Sequence, residues 1–289
     1  MDTPASRTVP TGTMVPAKMI AVVRAATAAE GRTIVHGLIR AAVPAVELTM
    51  TVPDAVAIIG EFAGLAGGPA LHPGTALGAG TALGAGTALG AGTVLGAGTV
   101  LDPRDCAACA DAGATFIVSP VTDLDVLEEA HRRGVAYIGG ALTPTEVLAS
   151  MRAGSDAVKI FPVGAVGGPG YLRALREPLP ALRAVVSGGI AAAQAGAYRE
   201  AGAYAVCLGG ALIDREAAGR GDVEAVAAGA RRVMDEMLSE ALLLFPNELE
   251  WLVSARMPAQ TTIARPGPNS AERIPAVAAK SWVAALCVP

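Results

Sequence analysis

Only three lysines occur in the 289 residues, Lys18, Lys159 and Lys280, and one of them sits in the apolar stretch Asp156-Ala157-Val158-Lys159-Ile160-Phe161-Pro162. Between Val158 and Ile160, Lys159 reads as part of a buried strand. Burying an ammonium is costly unless it is paired or loses its proton. Removal from water favours the neutral amine, and a neutral amine is a nucleophile. A strand lysine salt-bridged to an inward-facing carboxylate is the other reading of the same seven residues.

A second set of residues suited to chemistry is glycine-rich. Ser187-Gly188-Gly189 and Gly209-Gly210-Ala211 each follow a short apolar run. Backbone N–H groups in such loops, with a short helix behind them, can cradle a phosphate. The four cysteines, Cys106, Cys109, Cys207 and Cys287, have neither disulfide nor zinc spacing. Cys106 and Cys109 lie three apart in an alanine-rich helix and read as small buried apolar groups.

These residues need a scaffold, and the chain repeats one unit that supplies it. Apolar, β-branched runs predict strands over 19–23, 45–49, 94–99, 115–119, 135–139, 156–162, 183–187 and 204–208. Each is followed by a helical pattern: 28–42, 53–65 with Pro53 in its first turn, 103–112, 124–132, 144–152, 171–175, 192–201 and 223–241. Strand and helix in strict alternation predict an α/β fold, a parallel TIM (β/α)8 barrel. Active-site groups then belong at the C-terminal strand ends, where Arg24, Glu47, Thr49, Thr99, Ser119, Lys159 and Ser187 fall.

Composition agrees with one large globular domain: 52% of residues are hydrophobic and 17% charged. A net charge of -4 and 3% aromatic residues argue against a nucleic-acid partner. No uncharged apolar run of spanning length stands clear of glycine and proline, so no membrane partner is expected. The first 17 residues have no apolar core segment, which leads to a cytoplasmic expectation.

AVVRA, VELT, GAGTVLDP, ATFIVSP, TPTEV, DAVKIFP, GGPGYLRAL and SGGI, with the glycine pair after the eighth strand, resemble the 2-keto-3-deoxy-6-phosphogluconate and 4-hydroxy-2-oxoglutarate aldolase family. The resemblance covers residues 18–241. It implies a class I aldolase that cleaves a 2-oxo-4-hydroxy acid to pyruvate and an aldehyde, as a homotrimer and without a cofactor. Carried over by position, Lys159 is the Schiff-base residue and Glu47 the general acid/base. Thr99 and Arg24 hold the oxo-acid end, Phe161 and Pro120 wall the pyruvate part, and Ser187, Gly188, Gly189 and Gly210 border the distal phosphate. A phosphate-binding isomerase or synthase would share the glycine pairs without needing the Lys–Glu pair, and a non-catalytic barrel is the third reading.

The chain departs from the family pattern in three places. Members acting on the phosphorylated sugar acid often carry a TLRT-like motif, where this chain has Thr49-Met50-Thr51-Val52, without arginine. The family's GGS after the last strand is Gly209-Gly210-Ala211, without the hydroxyl. From Gly74 a hexad repeats, with threonines at 75, 81, 87, 93 and 99. Glu47 to Thr99 spans 52 residues, and subtracting 99 - 75 = 24 leaves 28, close to the ~30 residues of one barrel unit. The domain reading is therefore an N-terminal extension over 1–17, a barrel over 18–241 with a glycine-rich, mobile insertion over 75–98 before the third strand, and a partly disordered tail over 242–289. Thr99 is expected to end the strand, with the surplus on the face away from the chemistry.

Overall fold

The expected runs form strands and the alanine-rich stretches form helices. Their order is β1 (Met19–Val23), α1 (Ala28–Arg40), β2 (Ala45–Thr49), α2 (Ala55–Ala63), β3 (Val94–Gly98), α3 (Pro103–Asp111), β4 (Phe116–Val118), α4 (Leu124–Arg132) and β5 (Ala136–Ala141). Then follow α5 (Pro144–Ala153), β6 (Ala157–Ile160), α6 (Gly168–Arg176), β7 (Ala184–Val186), α7 (Ala195–Glu200), β8 (Ala205–Leu208), α8 (Arg215–Gly219) and α9 (Val223–Leu244). The strands close into a parallel barrel in sequence order, β8 pairing with β1. The computed structural model describes residues 19–65 and 93–244, with side chains as far as residue 237. The expected N-terminal extension, the first three repeat copies and the tail from residue 245 lie outside the described residues. Among the described residues, no helix is long and apolar enough to cross a membrane.

Strand alternation divides the core in two. Ile20, Val22, Ala45, Val94, Phe116, Val118, Ala157, Val185 and Cys207 fill the inside of the barrel. Their alternates Ala21, Val23, Val46, Leu48, Val158 and Ile160 pack in the outer layer with Ile34, Leu38, Ile58 and Ile59 of the helices. Burial on both faces is why the strands read as unbroken apolar runs. Phase then decides which polar residues turn inward: Glu47 and Thr49 follow Ala45 on β2, Lys159 follows Ala157 on β6, and Ser187 follows Val185 on β7.

The repeat enters the barrel at β3 in the expected copy, but the strand stops at Gly98, one residue before the expected end at Thr99. Six is an even number, so sliding by a whole copy would leave the inward and outward sets unchanged. In the observed copy Gly96 and Gly98 face inward, where a Cβ would meet the Phe116 ring and the Glu47 carboxylate respectively. The copies differ at the position after threonine: Ala76, Ala82 and Ala88, but Val94 and Val100. Both valines are buried, so a one-copy slip would put Ala88 in place of Val94 and lose about 2 kcal/mol. Counting copies assigned 75–98 to the surplus, yet Val94–Gly98 are β3 itself. An inserted stretch before the strand would have to end by residue 93.

Other boundaries move for local reasons. α2 begins at Ala55 rather than Pro53, because Val52 N–H donates to the Thr49 carbonyl in a turn and Asp54 adopts φ 59°, outside the helix. Residues 192–201 divide into a 3-10 turn, Ala192–Gln194, and α7. α6 starts earlier than expected, at Gly168, and α8 was not expected. α9 continues past residue 241 to Leu244. It packs on α1 where Gly37 leaves room for Val226.

Candidate active site

The inward-facing polar residues converge near the C-terminal end of the barrel. β2 and β6 stand four strands apart in the closed order of eight, on opposite sides of the barrel. Even so, Lys159 Nζ lies 3.3 Å from Glu47 Oε1. Both side chains are shut away from solvent, 5% exposed for the lysine and 0% for the glutamate. The other carboxylate oxygen, Oε2, is buried without a hydrogen-bond partner. A buried acceptor left open in this way is costly unless a ligand or water completes it.

Glu47 has this room because of β3. The two strands pair with Glu47 opposite Gly96 and Thr49 opposite Gly98, and a side chain on Gly98 would occupy the carboxylate's place. The glycines of the repeat are therefore part of the site's architecture. Lys159 is backed by the Phe161 ring, 5.7 Å from the amine to the ring centroid. Gly188, at φ 91°, lies against the same ring.

Cys207 also faces this interior. Its thiol is pushed up to about 12, chiefly by burial and next by the Glu47 charge, while Lys159 and a hydrogen bond with Ser187 oppose the shift. It stays a protonated thiol at neutral pH. Burial does the same to Cys106 and Cys109, each pushed up to about 12, consistent with their reading as apolar groups. Among the described residues, no group of three or more His, Cys, Asp or Glu is placed to hold a metal ion.

The remaining predicted residues occupy the strand ends in different ways. Thr99 follows Gly98 directly and adopts φ 59°, a left-handed conformation costly for a β-branched residue and seen most often at functional sites. It is clamped on both sides, by Met50 N–H to the Gly98 carbonyl and by Val100 N–H to the Val118 carbonyl. Pro120 is half-buried, its backbone pressed against Gly140 of β5. Ser187 is buried, and its carbonyl accepts from Val163 N–H, while the Gly188 carbonyl accepts from Gly164 N–H. Gly189, Gly210 and Arg24 are exposed. Gly210 turns the chain after β8, and the Arg24 carbonyl accepts from Arg215 Nη1 at 3.0 Å. The structure thus brings Lys159, Glu47, Phe161, Ser187 and Gly188 together, and places Arg24 and Gly210 at the rim on the neighbouring strands β1 and β8.

Two contributors escape a reading of strand-end residues. Gly98 matters for what it leaves out, and Thr51, beyond the end of β2, is tied back to the inward-facing Thr49 by a 2.8 Å hydroxyl pair. Counting the alternation four residues past Glu47 would have pointed to Thr51.

Residues 90–228, from β3 through the start of α9, match the family model described as KDPG and KHG aldolase. Over those residues the chain resembles the KDPG and KHG aldolase family. The 2-dehydro-3-deoxy-phosphogluconate aldolase of Pseudomonas aeruginosa is 33% identical over 123 residues, 42% of this chain and 56% of that protein. The KHG/KDPG aldolase of Escherichia coli is 32% identical over 138 residues, 47% of this chain and 63% of that one. These alignments therefore span between half and two thirds of the curated relatives. The likeness in three dimensions is longer: the native KDPGal structure superposes with a TM-score of 0.59 at 26% identity, covering 76% of this chain and 96% of that one. Of the matched segment, Lys159 on β6 and the glycine pairs after β7 and β8 fall inside residues 90–228, while Glu47 on β2 lies before it.

Proposed function

We propose that this protein is a class I aldolase that cleaves a 2-oxo-4-hydroxy acid to pyruvate and an aldehyde. The observation that carries the reading is the buried Lys159–Glu47 pair, with Nζ 3.3 Å from one carboxylate oxygen and the other oxygen without a partner. In its neutral form the Lys159 amine attacks the C2 carbonyl of the substrate. Glu47 delivers the proton that lets the carbinolamine lose water and become an iminium. The carboxylate then takes the proton of the C4 hydroxyl as the C3–C4 bond breaks. The bonding electrons pass into the iminium, the aldehyde leaves, and an enamine remains. Protonation at C3 and addition of water release pyruvate and restore the amine. The iminium is itself the electron sink, so no step calls for a cofactor.

In this reading Phe161 and Pro120 wall the pyruvate half, Thr99 and Arg24 serve the oxo-acid end, and Ser187, Gly188, Gly189 and Gly210 border the distal group. 2-Keto-3-deoxy-6-phosphogluconate and 4-hydroxy-2-oxoglutarate are the substrates the family likeness suggests. A cytoplasmic homotrimer belongs to the same proposal and rests on that likeness; sedimentation velocity tests the assembly. The chemistry is tested by incubating the protein with pyruvate and borohydride. One reduced pyruvyl group per chain should appear on the peptide carrying Lys159, and Lys159→Arg should lose it, since guanidinium is no usable amine. An unchanged adduct yield in that variant would refute the assignment.

A further inference from the structure

A third glycine pair, Gly139-Gly140, lies near the end of β5. In the register of β5 with β6, Gly140 stands opposite Lys159 and Gly139 opposite Val158. Gly140 therefore faces the barrel interior beside the lysine, and Gly139 faces the outer layer. A Cβ on Gly140 would fall on the carbonyl group of Pro120 and the nitrogen of Val121. The place of a side chain next to Lys159 is thus filled by main chain, the peptide joining Pro120 to Val121. Gly140 has no positive φ, so what it supplies is space. Gly139 leaves room for Thr122 Oγ1 on the other face, and the turn after β4 straddles β5.

Hydrogen bonds fix the turn there. The Val121 carbonyl accepts from Gly140 N–H at 3.0 Å and from the Tyr137 hydroxyl at 3.2 Å. The same hydroxyl accepts from Asp123 N–H at 3.0 Å, and Thr122 Oγ1 donates to the Gly140 carbonyl at 3.0 Å. These bonds also use up the donors. Proline has no N–H, Val121 N–H reaches Ser119 Oγ at 3.4 Å, and the hydroxyl protons of Tyr137 and Thr122 are committed to carbonyls. A wall without free donors offers nothing to a carboxylate and suits the carbon side of an oxo acid.

We infer that the Pro120–Val121 peptide, held over Gly140 by Tyr137 and Thr122, walls C3 of the oxo acid on Lys159 so closely that C3 carries one carbon substituent, the C4 that is cleaved, and no branch. The protein then selects unbranched 2-oxo-4-hydroxy acids over those with a methyl group on C3. Gly140, Tyr137 and Thr122 are positioning residues, since each acts through the wall. This rests on the aldolase reading above and adds to it a size limit on the half of the substrate that stays on the lysine.

The test uses the full chain in the synthetic direction, with pyruvate or 2-oxobutanoate as nucleophile and glyceraldehyde and glyoxylate as acceptors in parallel. Addition of 2-oxobutanoate leaves a methyl branch on C3. The parent should favour pyruvate in kcat/KM by about 10- to 200-fold, the range for one methylene in a close pocket. The double variant Tyr137→Phe, Thr122→Val keeps both shapes and removes two ties. It should lower the pyruvate-to-2-oxobutanoate ratio by about three- to tenfold, the usual effect of a hydrogen bond. Thr122→Ser, which keeps the hydroxyl, should hold the parental ratio. A purely structural role would slow both nucleophiles together. An unchanged ratio in the double variant, or a parent that uses both nucleophiles alike, would overturn the inference and leave the aldolase reading standing. Borohydride trapping of pyruvate on Lys159 reports that reading separately: if the parent forms no adduct, it falls and this inference falls with it.

Discussion

Lys159 and Glu47 are 112 residues apart in the chain and on opposite sides of the barrel, yet their charged ends lie 3.3 Å from one another. An ion pair placed there for stability alone would have both carboxylate oxygens satisfied, because an unpaired buried acceptor is destabilising. Glu47 leaves one open. Glu47→Gln keeps the size and removes the proton-transfer group. It should fold, still form the pyruvate adduct more slowly, and turn over about 10² to 10⁴-fold more slowly, as expected for a positioned acid/base. Steady-state cleavage assays decide this; turnover within a few-fold of the parent would hand the role to another group or to water.

Gly98 should be as sensitive as a catalytic residue without doing chemistry. A Cβ there would run into the Glu47 side chain, as one at Gly96 would run into the Phe116 ring. Gly98→Ala should therefore displace the carboxylate from Lys159 and reduce kcat on the order of 10²-fold, the scale set by a misplacement near 1 Å. Circular dichroism should report a folded barrel. Normal kcat in a folded Gly98→Ala protein would show that the Lys159–Glu47 spacing is not what limits turnover.

The barrel was legible because parallel strands buried on both faces leave unbroken apolar runs, and because each run is followed by a helix. Lys159 stood out for being a charge inside such a run. Glu47 was legible as a strand-end carboxylate, but its contact with Lys159 depends on closure of β8 onto β1, which no local pattern encodes. The same limit hid Gly98: the reason for a glycine lies on the neighbouring strand. Helix starts were least legible where a turn competes with a cap, as between Thr49 and Asp54.

The buried thiols predict a loss of stability in alkali. Cys106, Cys109 and Cys207 are each pushed from 9.0 to about 12 in the folded chain. Below pH 9 the thiols are protonated whether folded or not, and their full contribution is present. Above it the unfolded chain releases protons that the folded chain holds, so stability falls as pH rises from about 9 toward 12, by up to about 1.4 kcal/mol per pH unit for each thiol. Urea unfolding midpoints should drop over that range, and less so in Cys207→Ala. At pH 8 a disulfide reagent should leave these three cysteines unmodified in the native protein by peptide mapping, and label them in urea. Rapid native labelling of Cys207 would show that the interior is open to solvent.

The last prediction concerns the repeat. β3 needs Val94 through Gly98, and the turn after it needs Thr99, so a deletion that tests the surplus must stop before Thr93. Removing residues 75–92, three hexads (92 - 75 + 1 = 18), joins Gly74 to Thr93 and leaves the strand, Gly96, Gly98 and both valines in place. If those residues only connect α2 to β3, the deletion acts on loop-closure entropy. The connection from residue 64 to residue 93 would shorten from 30 residues to 12, worth about 1 kcal/mol of added stability. Cleavage rates should be unchanged, because β3 enters from the N-terminal face of the barrel and the paired ends of Lys159 and Glu47 lie toward the other. Val94→Ala in the full chain should do the opposite, costing about 2 kcal/mol and making the third and fourth copies nearly equivalent. A deletion protein that folds but changes its preference among 2-oxo-4-hydroxy acids would place the repeats at the catalytic face.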